Sequence, residues 1–364
     1  MKICVLGAFG NAGRAVVQEI LQQSTVHVVA ADMRPRPAAE VFPEHAQRIQ
    51  TVLVDAARPE TLKTALSDCK AAISCIGPFS RYGVTVARAI LENGCHGVDL
   101  CNDATATSGI LALDRIAKTR GLSYITGTGC SPGLTNLLAM QVASGMDRLA
   151  YAHISLALRI DAQTGPSLLE HFMSLISEDV PVFRRHTHMR VRPYTEPERV
   201  NFPHPIGRLF VAQIGHPEVF TLPEHLDVEE VWVKGIVLPV WFKHPLRFVT
   251  QSGLAREEPA RQKFAQNLLG IHHLLSHSKH KKNVAVRVDV AGWKKGVPLL
   301  VGMSVANSLL HTTAVTAVAS LLTILSGDVV LPGVFSPEGA LPEDRILLHI
   351  AQQGLVFHRE ENYL

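Results

Sequence analysis

The sequence predicts an α/β protein: a doubly wound parallel sheet, then a second α+β domain built on a mostly antiparallel sheet. Three observations carry that expectation. Short β-branched runs alternate with helical patterns six times through the first 130 residues, with short connections. A glycine-rich turn stands between the first strand and the first helix. Beyond Gly133 the rhythm changes to longer strand-like stretches and fewer helices. The first two features together describe a Rossmann-type domain.

The elements follow in order. Ile3–Leu6 reads as a buried strand, and Val16, Val17, Ile20 and Leu21 then mark one helical face. Val26–Ala31 is the next strand, followed by a loop broken at Pro35 and Pro37. Thr51–Val54 and Ala71–Ile76 are strands, with a helix opening near Pro59 between them. A helix over Val84–Glu92 leads to a strand at Gly97–Leu100, and one over Thr107–Thr119 leads to Leu122–Thr126. In the second part, Tyr151–Arg159, Val228–Leu238, Val284–Val290 and Leu299–Val305 are strand-like. Arg184–Pro205 is basic and proline-rich and reads as a loop. Thr312–Leu325 reads as a helix with Gly327 as its C-cap.

Composition narrows the function classes. Of 364 residues, 47% are apolar and 18% charged, which supports a packed core and excludes a low-complexity chain. The net charge is +3, with 13 basic and 11 acidic residues up to Cys130 and 22 and 21 beyond it. No segment concentrates positive charge, so nucleic acid is not an expected partner. No apolar stretch approaches the roughly 18 residues of a membrane span; the best candidate, Thr312–Leu325, carries four threonines and a serine. The six cysteines lie in the first 130 residues without a close C-x-x-C pair, several within strand-like apolar runs. A soluble, reduced, cytoplasmic protein is expected.

The strongest chemical signal is Gly7-Ala8-Phe9-Gly10-Asn11-Ala12-Gly13, directly after a strand and opening a helix. Glycines there allow a tight turn and close approach of backbone to a pyrophosphate, and the helix N-terminus adds free N–H groups. Asp32 ends the second strand, where a carboxylate accepts ribose hydroxyls of NAD, while Arg34 just beyond it suits the phosphate of NADP. NAD is the favoured cofactor and NADP the alternative. The cofactor contacts expected from this arrangement are Gly7, Phe9, Gly10, Asn11, Ala12, Gly13, Asp32, Met33 and Arg34. Asp55 and Ala56 end the third strand, Asp55 serving either the adenine edge or a helix cap. Cys75, Ile76, Gly77 and Pro78 end the fourth, on the side of the ribose and nicotinamide. Gly97-Val98-Asp99-Leu100-Cys101-Asn102 ends a strand at the same edge, so Asp99 is either a solvated strand-end acid or a group facing substrate. In Gly129-Cys130-Ser131-Pro132-Gly133, Ser131 suits an N-cap and Pro132 the first helical position.

The glycine loop, Gly77-Pro78-Phe79 with Gly83, Val98-Asp99 and Gly129-x-x-Pro132-Gly133-Leu134-Thr135-Asn136 resemble the saccharopine dehydrogenase-like oxidoreductases. The group includes saccharopine reductase, carboxynorspermidine dehydrogenase and lysine 6-dehydrogenase. His216-Pro217-Glu218, Thr221-Leu222-Pro223, Pro332-Gly333-Val334, Pro337-Glu338 and Gly354-Leu355 continue the likeness, which is patchy between Gly165 and Asn283. The resemblance implies a dinucleotide-binding domain over 1–130, a substrate and dimerisation domain over 131–310, and a C-terminal segment, 311–364, returning to the first. It implies a homodimer that transfers hydride at a C–N bond of an amino acid or opine-like secondary amine. Asp99 and Asn102 match its strand-end positions near the nicotinamide and are the candidate catalytic residues. Ser131 stands where the family often has Asp, so substrate identity does not transfer. Ser131 and Pro132 remain candidate substrate contacts, with Arg159 as a bidentate clamp for a substrate carboxylate and Arg184 and Arg185 behind it.

Rival readings use the same residues. Cys130 at a helix N-terminus would suit a semialdehyde or acyl-phosphate reductase nucleophile. A nucleotide site without turnover would make a sensor of NAD(P). No tyrosine has lysine four positions later, as a short-chain dehydrogenase requires. The histidines at 272, 273, 277 and 280 lie beside Lys279, Lys281 and Lys282, which oppose a cation, so no metal is expected.

Overall fold

The computed structural model describes residues 1–160, 166–176, 178–242, 244–246, 248, 252–253, 257–275, 282–329 and 331–363. Its strands, in chain order, are β1 Lys2–Leu6, β2 His27–Asp32, β3 Ile49–Leu53, β4 Ala71–Ser74, β5 His96–Asp99, β6 Ser123–Ile125, β7 Arg148–Arg159 and β8 Val180–Arg184. They continue as β9 Thr187–Val191, β10 Glu198–Asn201, β11 Arg208–Gln213, β12 Glu230–Leu238, β13 Val284–Lys294, β14 Val297–Asn307, β15 Gly333–Phe335 and β16 His358–Tyr363. Two compact units divide the chain: Met1–Leu137 with Leu310–Gly354, and Leu138–Leu309 with Leu355–Leu364.

The first unit holds a seven-stranded sheet in the order β15-β6-β5-β4-β1-β2-β3, parallel throughout. Strand order reverses between β1 and β4, and ligands of such sheets bind at that reversal, beyond the strands' carboxyl ends. Helix α1 (Asn11–Gln23) buries Val16, Val17, Ile20 and Leu21, the spacing of a single helical face. Each such side chain contributes about 1.5–3 kcal/mol on leaving water.

The second unit holds a nine-stranded sheet with the path β10-β11-β12-β7-β13-β14-β16, from which β8 pairs with β12 and β9 with β8. Only the β12–β7 pair is parallel among these. Among the described residues, no helix is long and apolar enough to cross a membrane.

Four local expectations are corrected. The single helix over Thr107–Thr119 is two, Ala104–Leu111 and Asp114–Arg120. The first starts early because Asp103 caps it, accepting from the Ala106 N–H at 2.7 Å. The expected loop Arg184–Pro205 contains β9 and β10. Strands β8 and β9 form a hairpin turning at Arg185 and His186, with φ of 50° and 58°. That turn wants glycine or asparagine, so these two residues gave no hairpin signal. The helix expected from Pro132 begins instead at Leu134, because Gly133 has φ of +119° and cannot continue a helical run. Finally, the segment 311–364 is divided: β15 joins the first sheet, but β16 pairs with β14 in the second.

Arg184, at the end of β8, donates through Nη1 to Glu196 Oε1 at 2.9 Å and pairs through Nη2 with the other oxygen. These bonds hold the Glu196 carboxyl down to about 2. An unfolded glutamate titrates near 4.3, so the ionised group contributes stability above about pH 4.5 that is lost as pH falls toward 2. Glu196→Gln is therefore expected to lower the urea midpoint modestly near neutral pH, with the gap closing on acidification. A gap independent of pH would contradict this.

Candidate nucleotide and substrate site

The turn after β1 is shaped by glycines that admit no side chain. A Cβ on Gly13 would lie 2.0 Å from the Gly7 carbonyl oxygen, so α1 begins directly against the loop. Gly7 has φ of +82°, and a Cβ there would come within 3.1 Å of the Cys75 carbonyl. Gly10, the N-cap of α1, provides no capping side chain. The first N–H groups of the helix are thus left for an anion.

Asp32, at the end of β2, accepts from the Phe9 N–H at 2.9 Å through Oδ2 and from the Arg34 N–H at 3.1 Å through Oδ1. The carboxylate ties the glycine loop to the second strand. Met33 and Arg34 are exposed beside it. Asp55 caps a turn rather than a helix, accepting from the Ala57 N–H at 2.9 Å, while Arg58 occupies the N-cap of the helix Pro59–Leu66. Ala56 is buried next to it. Cys75 follows β4 and donates its N–H to Leu6 at 2.8 Å. Ile76, Gly77 and Pro78 lead into the helix Phe79–Glu92, with Pro78 at its N-cap.

Two features went unread in the sequence. Ser74, the last residue of β4, is 2% exposed, and its hydroxyl meets no protein partner among the described residues. An orphaned hydroxyl at the strand-order reversal is what a dinucleotide site leaves for its ligand, so the loop, the reversal and Ser74 fit NAD(P). Arg14, on the first turn of α1, donates through Nε to the Phe9 carbonyl at 2.9 Å. An arginine after a glycine motif carries no spacing rule, and a lone serine is no signal.

Asp99 is neither solvated nor open. It is 1% exposed, and Oδ1 accepts from the Cys101 N–H at 2.9 Å, the Gly127 N–H at 2.8 Å and Thr126 Oγ1 at 3.0 Å. Oδ2 accepts from the Tyr124 hydroxyl at 2.9 Å. Burial pushes this carboxyl up, against the opposing pull of those four donors. Burial and then the Asp99 charge push the Tyr124 hydroxyl well up, so it stays a donor. The expectation of a solvated strand-end acid is corrected: this carboxylate knits β5 to the turn after β6. Asn102 is half-buried in the loop beyond β5.

Cys130, Ser131 and Pro132 lie in the turn closed by the Gly129–Gly133 bridge. Cys130 therefore does not sit at a helix N-terminus, the feature on which its role as nucleophile rested. Asn136 accepts from the Gly133 N–H at 2.9 Å and donates to Glu338 Oε2 at 2.9 Å, fastening this turn to the helix Pro337–Ala340.

In the second unit, Arg159 is the half-buried last residue of β7. Arg184 is engaged by Glu196 and by Glu230 at 3.2 Å, which removes it as a substrate clamp. Arg185 is a turn residue of the β8–β9 hairpin. One sheet face also carries His153, stacked between Tyr151 at 3.8 Å and Trp232 at 3.9 Å and bonded to Glu230 at 2.7 Å. Among the described residues, no group of three or more His, Cys, Asp or Glu could hold a metal. His272 is buried against Phe242, whereas the side chain of His273 and all of residues 277 and 280 lie outside the described residues.

Comparison with known proteins agrees with this geometry. Residues 3–125 match the family model described as the saccharopine dehydrogenase NADP binding domain. A saccharopine dehydrogenase-like oxidoreductase of Mus musculus is 25% identical over 117 residues, 28% of this chain and 27% of the relative. The chain thus spans about a quarter of that relative's length. Apo saccharopine dehydrogenase (L-Glu forming) from Saccharomyces cerevisiae shares the fold, with a TM-score of 0.73 over 99% of both chains at 12% identity. An engineered D-amino acid dehydrogenase bound to NADP+ matches with a TM-score of 0.50 over 95% of both chains at 13% identity. These matches support NAD(P) as the cofactor class for residues 3–125.

Proposed function

We propose that this saccharopine dehydrogenase-like chain is an NAD(P)-dependent oxidoreductase that transfers hydride at a C–N bond of an amino acid or opine-like secondary amine. The observation that carries the reading is the glycine cradle against β4, with the buried Ser74 hydroxyl at the strand-order reversal. The bond type is supported by the saccharopine dehydrogenase and D-amino acid dehydrogenase whose folds this chain shares. The nicotinamide, when bound, supplies the hydride chemistry. Gly7, Phe9, Gly10, Asn11, Ala12 and Gly13 hold the dinucleotide by backbone, and Cys75, Ile76, Gly77 and Pro78 form the neighbouring wall.

Asp99 acts as a positioning residue, fixing Thr126 and Gly127 through its acceptor bonds and thereby the turn that carries Ser131 and Pro132. Asn102 is the proposed polar contact for the substrate amine, which must be unprotonated before hydride leaves the adjacent carbon. Arg159 is the proposed carboxylate clamp, its planar fork suited to two parallel bonds. The test is loss of nicotinamide absorbance with pyruvate, glyoxylate or 2-oxoglutarate, each paired with ammonium, lysine or a diamine. With the best pair, Arg159→Ala is expected to raise KM for the carboxylate substrate about tenfold to a hundredfold, the loss of a charge-assisted bond. An unchanged KM would remove Arg159 from the site.

A further inference from the structure

Three cysteines converge in the core of the first unit, and the proposed hydride transfer uses none of them. Cys4 lies on β1, Cys69 in the turn between the helix Pro59–Leu66 and β4, and Cys95 in the turn between the helix Phe79–Glu92 and β5. All three belong to one buried cluster with Leu62, Leu66 and Ala72. The backbone brings the first two together: the Lys70 N–H donates to the Lys2 carbonyl at 3.0 Å, and Cys4 pairs with Ala72 in the β1–β4 ladder. The Cys4 thiol donates to the Cys69 sulfur, a bond that together with burial pushes Cys4 well up. The same bond draws the Cys69 thiol down against its burial, and the charge of Lys2 adds to the effect. Cys95 faces backbone instead, donating to the Cys69 carbonyl at 3.1 Å and to the Leu66 carbonyl at 3.7 Å. Burial pushes its thiol up to about 12. Access differs as well: Cys69 is 9% exposed, between the exposed Asp68 and Lys70, whereas Cys4 and Cys95 are 0% exposed.

From this placement we propose that Cys69 and Cys4 form an oxidation site, at which Cys69 reacts with hydrogen peroxide and Cys4 resolves the product to a reversible disulfide. Cys69 is the attacking group because the thiolate is the nucleophile and only this sulfur meets solvent. Its sulfur attacks one peroxide oxygen. An S–O bond forms as the O–O bond breaks, and the departing hydroxide takes up the thiol proton and leaves as water. The Cys4 sulfur then attacks the sulfenic sulfur. An S–S bond forms as the S–O bond breaks, and the second water carries off the Cys4 proton. Two thiols thus give up two electrons and one peroxide becomes two waters. Resolution by Cys4 spares Cys69 from irreversible oxidation to the sulfinic acid, and a thiol reductant restores both groups. The cross-link fastens β1, just ahead of the Gly7 turn, to the approach to β4.

The test treats the folded protein with dilute hydrogen peroxide, blocks the remaining thiols with N-ethylmaleimide and maps tryptic peptides by mass spectrometry. Cleavage after Lys2, Arg14, Lys63 and Lys70 isolates Cys4 in Ile3–Arg14 and Cys69 in Thr64–Lys70. The expected result is these two peptides joined, and parted again by dithiothreitol. Without peroxide, Cys69 is expected to react with the maleimide about tenfold or more faster than Cys4 or Cys95. Cys4→Ala is expected to leave a sulfenic acid on Cys69 that dimedone captures, and Cys69→Ser to remove cross-link and capture alike. Cys95→Ala leaves the cross-link intact. A bridge from Cys69 to Cys95 would overturn the pair, as would a cross-link that forms only after unfolding in urea. Absence of any oxidation at Cys69 would overturn it too. Should Cys4→Ala fail to fold, the peptide map of the unaltered protein and the Cys69→Ser variant decide the matter.

Discussion

Gly13→Ala is expected to abolish binding of both NADPH and NADH, a loss of more than about a hundredfold by the sub-ångström demands of a pre-organised phosphate loop. The added Cβ would stand 2.0 Å from the Gly7 oxygen and 2.8 Å from the Ala8 Cα, and neither neighbour is a flexible side-chain end. Relief requires moving the loop off the start of α1, which displaces the N–H groups that meet the pyrophosphate. Overpacking of this kind also costs about 1–3 kcal/mol of stability. Gly10→Ala is the control: its nearest atom would be the Gly7 oxygen at 3.5 Å, with φ of −71°, so the fold tolerates it. Isothermal titration of both variants checks this, and near-native affinity in Gly13→Ala would show that the cradle is not where the dinucleotide lies.

The second large effect belongs to Asp99. Asp99→Ala leaves the Cys101 and Gly127 N–H groups and the Thr126 and Tyr124 hydroxyls buried without their acceptor. Removing one member of a buried charged network costs about 3–5 kcal/mol. Asp99→Asn keeps an amide oxygen for three of the donors and turns an N–H toward the Tyr124 oxygen, so it is expected to lose much less. The pH dependence separates the two roles of charge and shape. Burial raises the folded pKa above the unfolded one, so ionisation of Asp99 costs stability that is recovered as pH falls through the folded value. Urea unfolding of the native protein and Asp99→Asn should therefore converge on acidification. Equal stability of Asp99→Ala and the native protein would mean that the network holds nothing together.

The nucleotide-binding half of this molecule was legible because its signals are local. The glycine spacing, the strand before it and the acid ending the second strand all lie within Lys2–Asp32, and β1 to β6 fall within one or two residues of their expected bounds. What escaped was set by tertiary context. The three residues of β15 gain strand character by pairing with β6, more than 200 positions earlier. The turn at Arg185 and His186 lacks the residues that announce a hairpin. Asp99 looked like a strand-end acid, and only the fold brings Thr126 and Gly127 beneath it. In the same way Arg14 and Ser74 acquire meaning from what stands beside them, Phe9 in one case and an unfilled hydrogen-bond position in the other.

Hydride transfer to a carbon bonded to nitrogen can be followed by isotope. The protein would be incubated with NADPH deuterated at the transferring position of the nicotinamide, a keto acid and an amine, and the products examined by mass spectrometry and NMR. The expected product is a secondary or primary amine carrying deuterium on the carbon that joins nitrogen to the former keto acid. Deuterium on an alcohol carbon, or on a carbon of a reduced C=C bond, would contradict it, as would tight nucleotide binding with no transfer to any substrate of the panel.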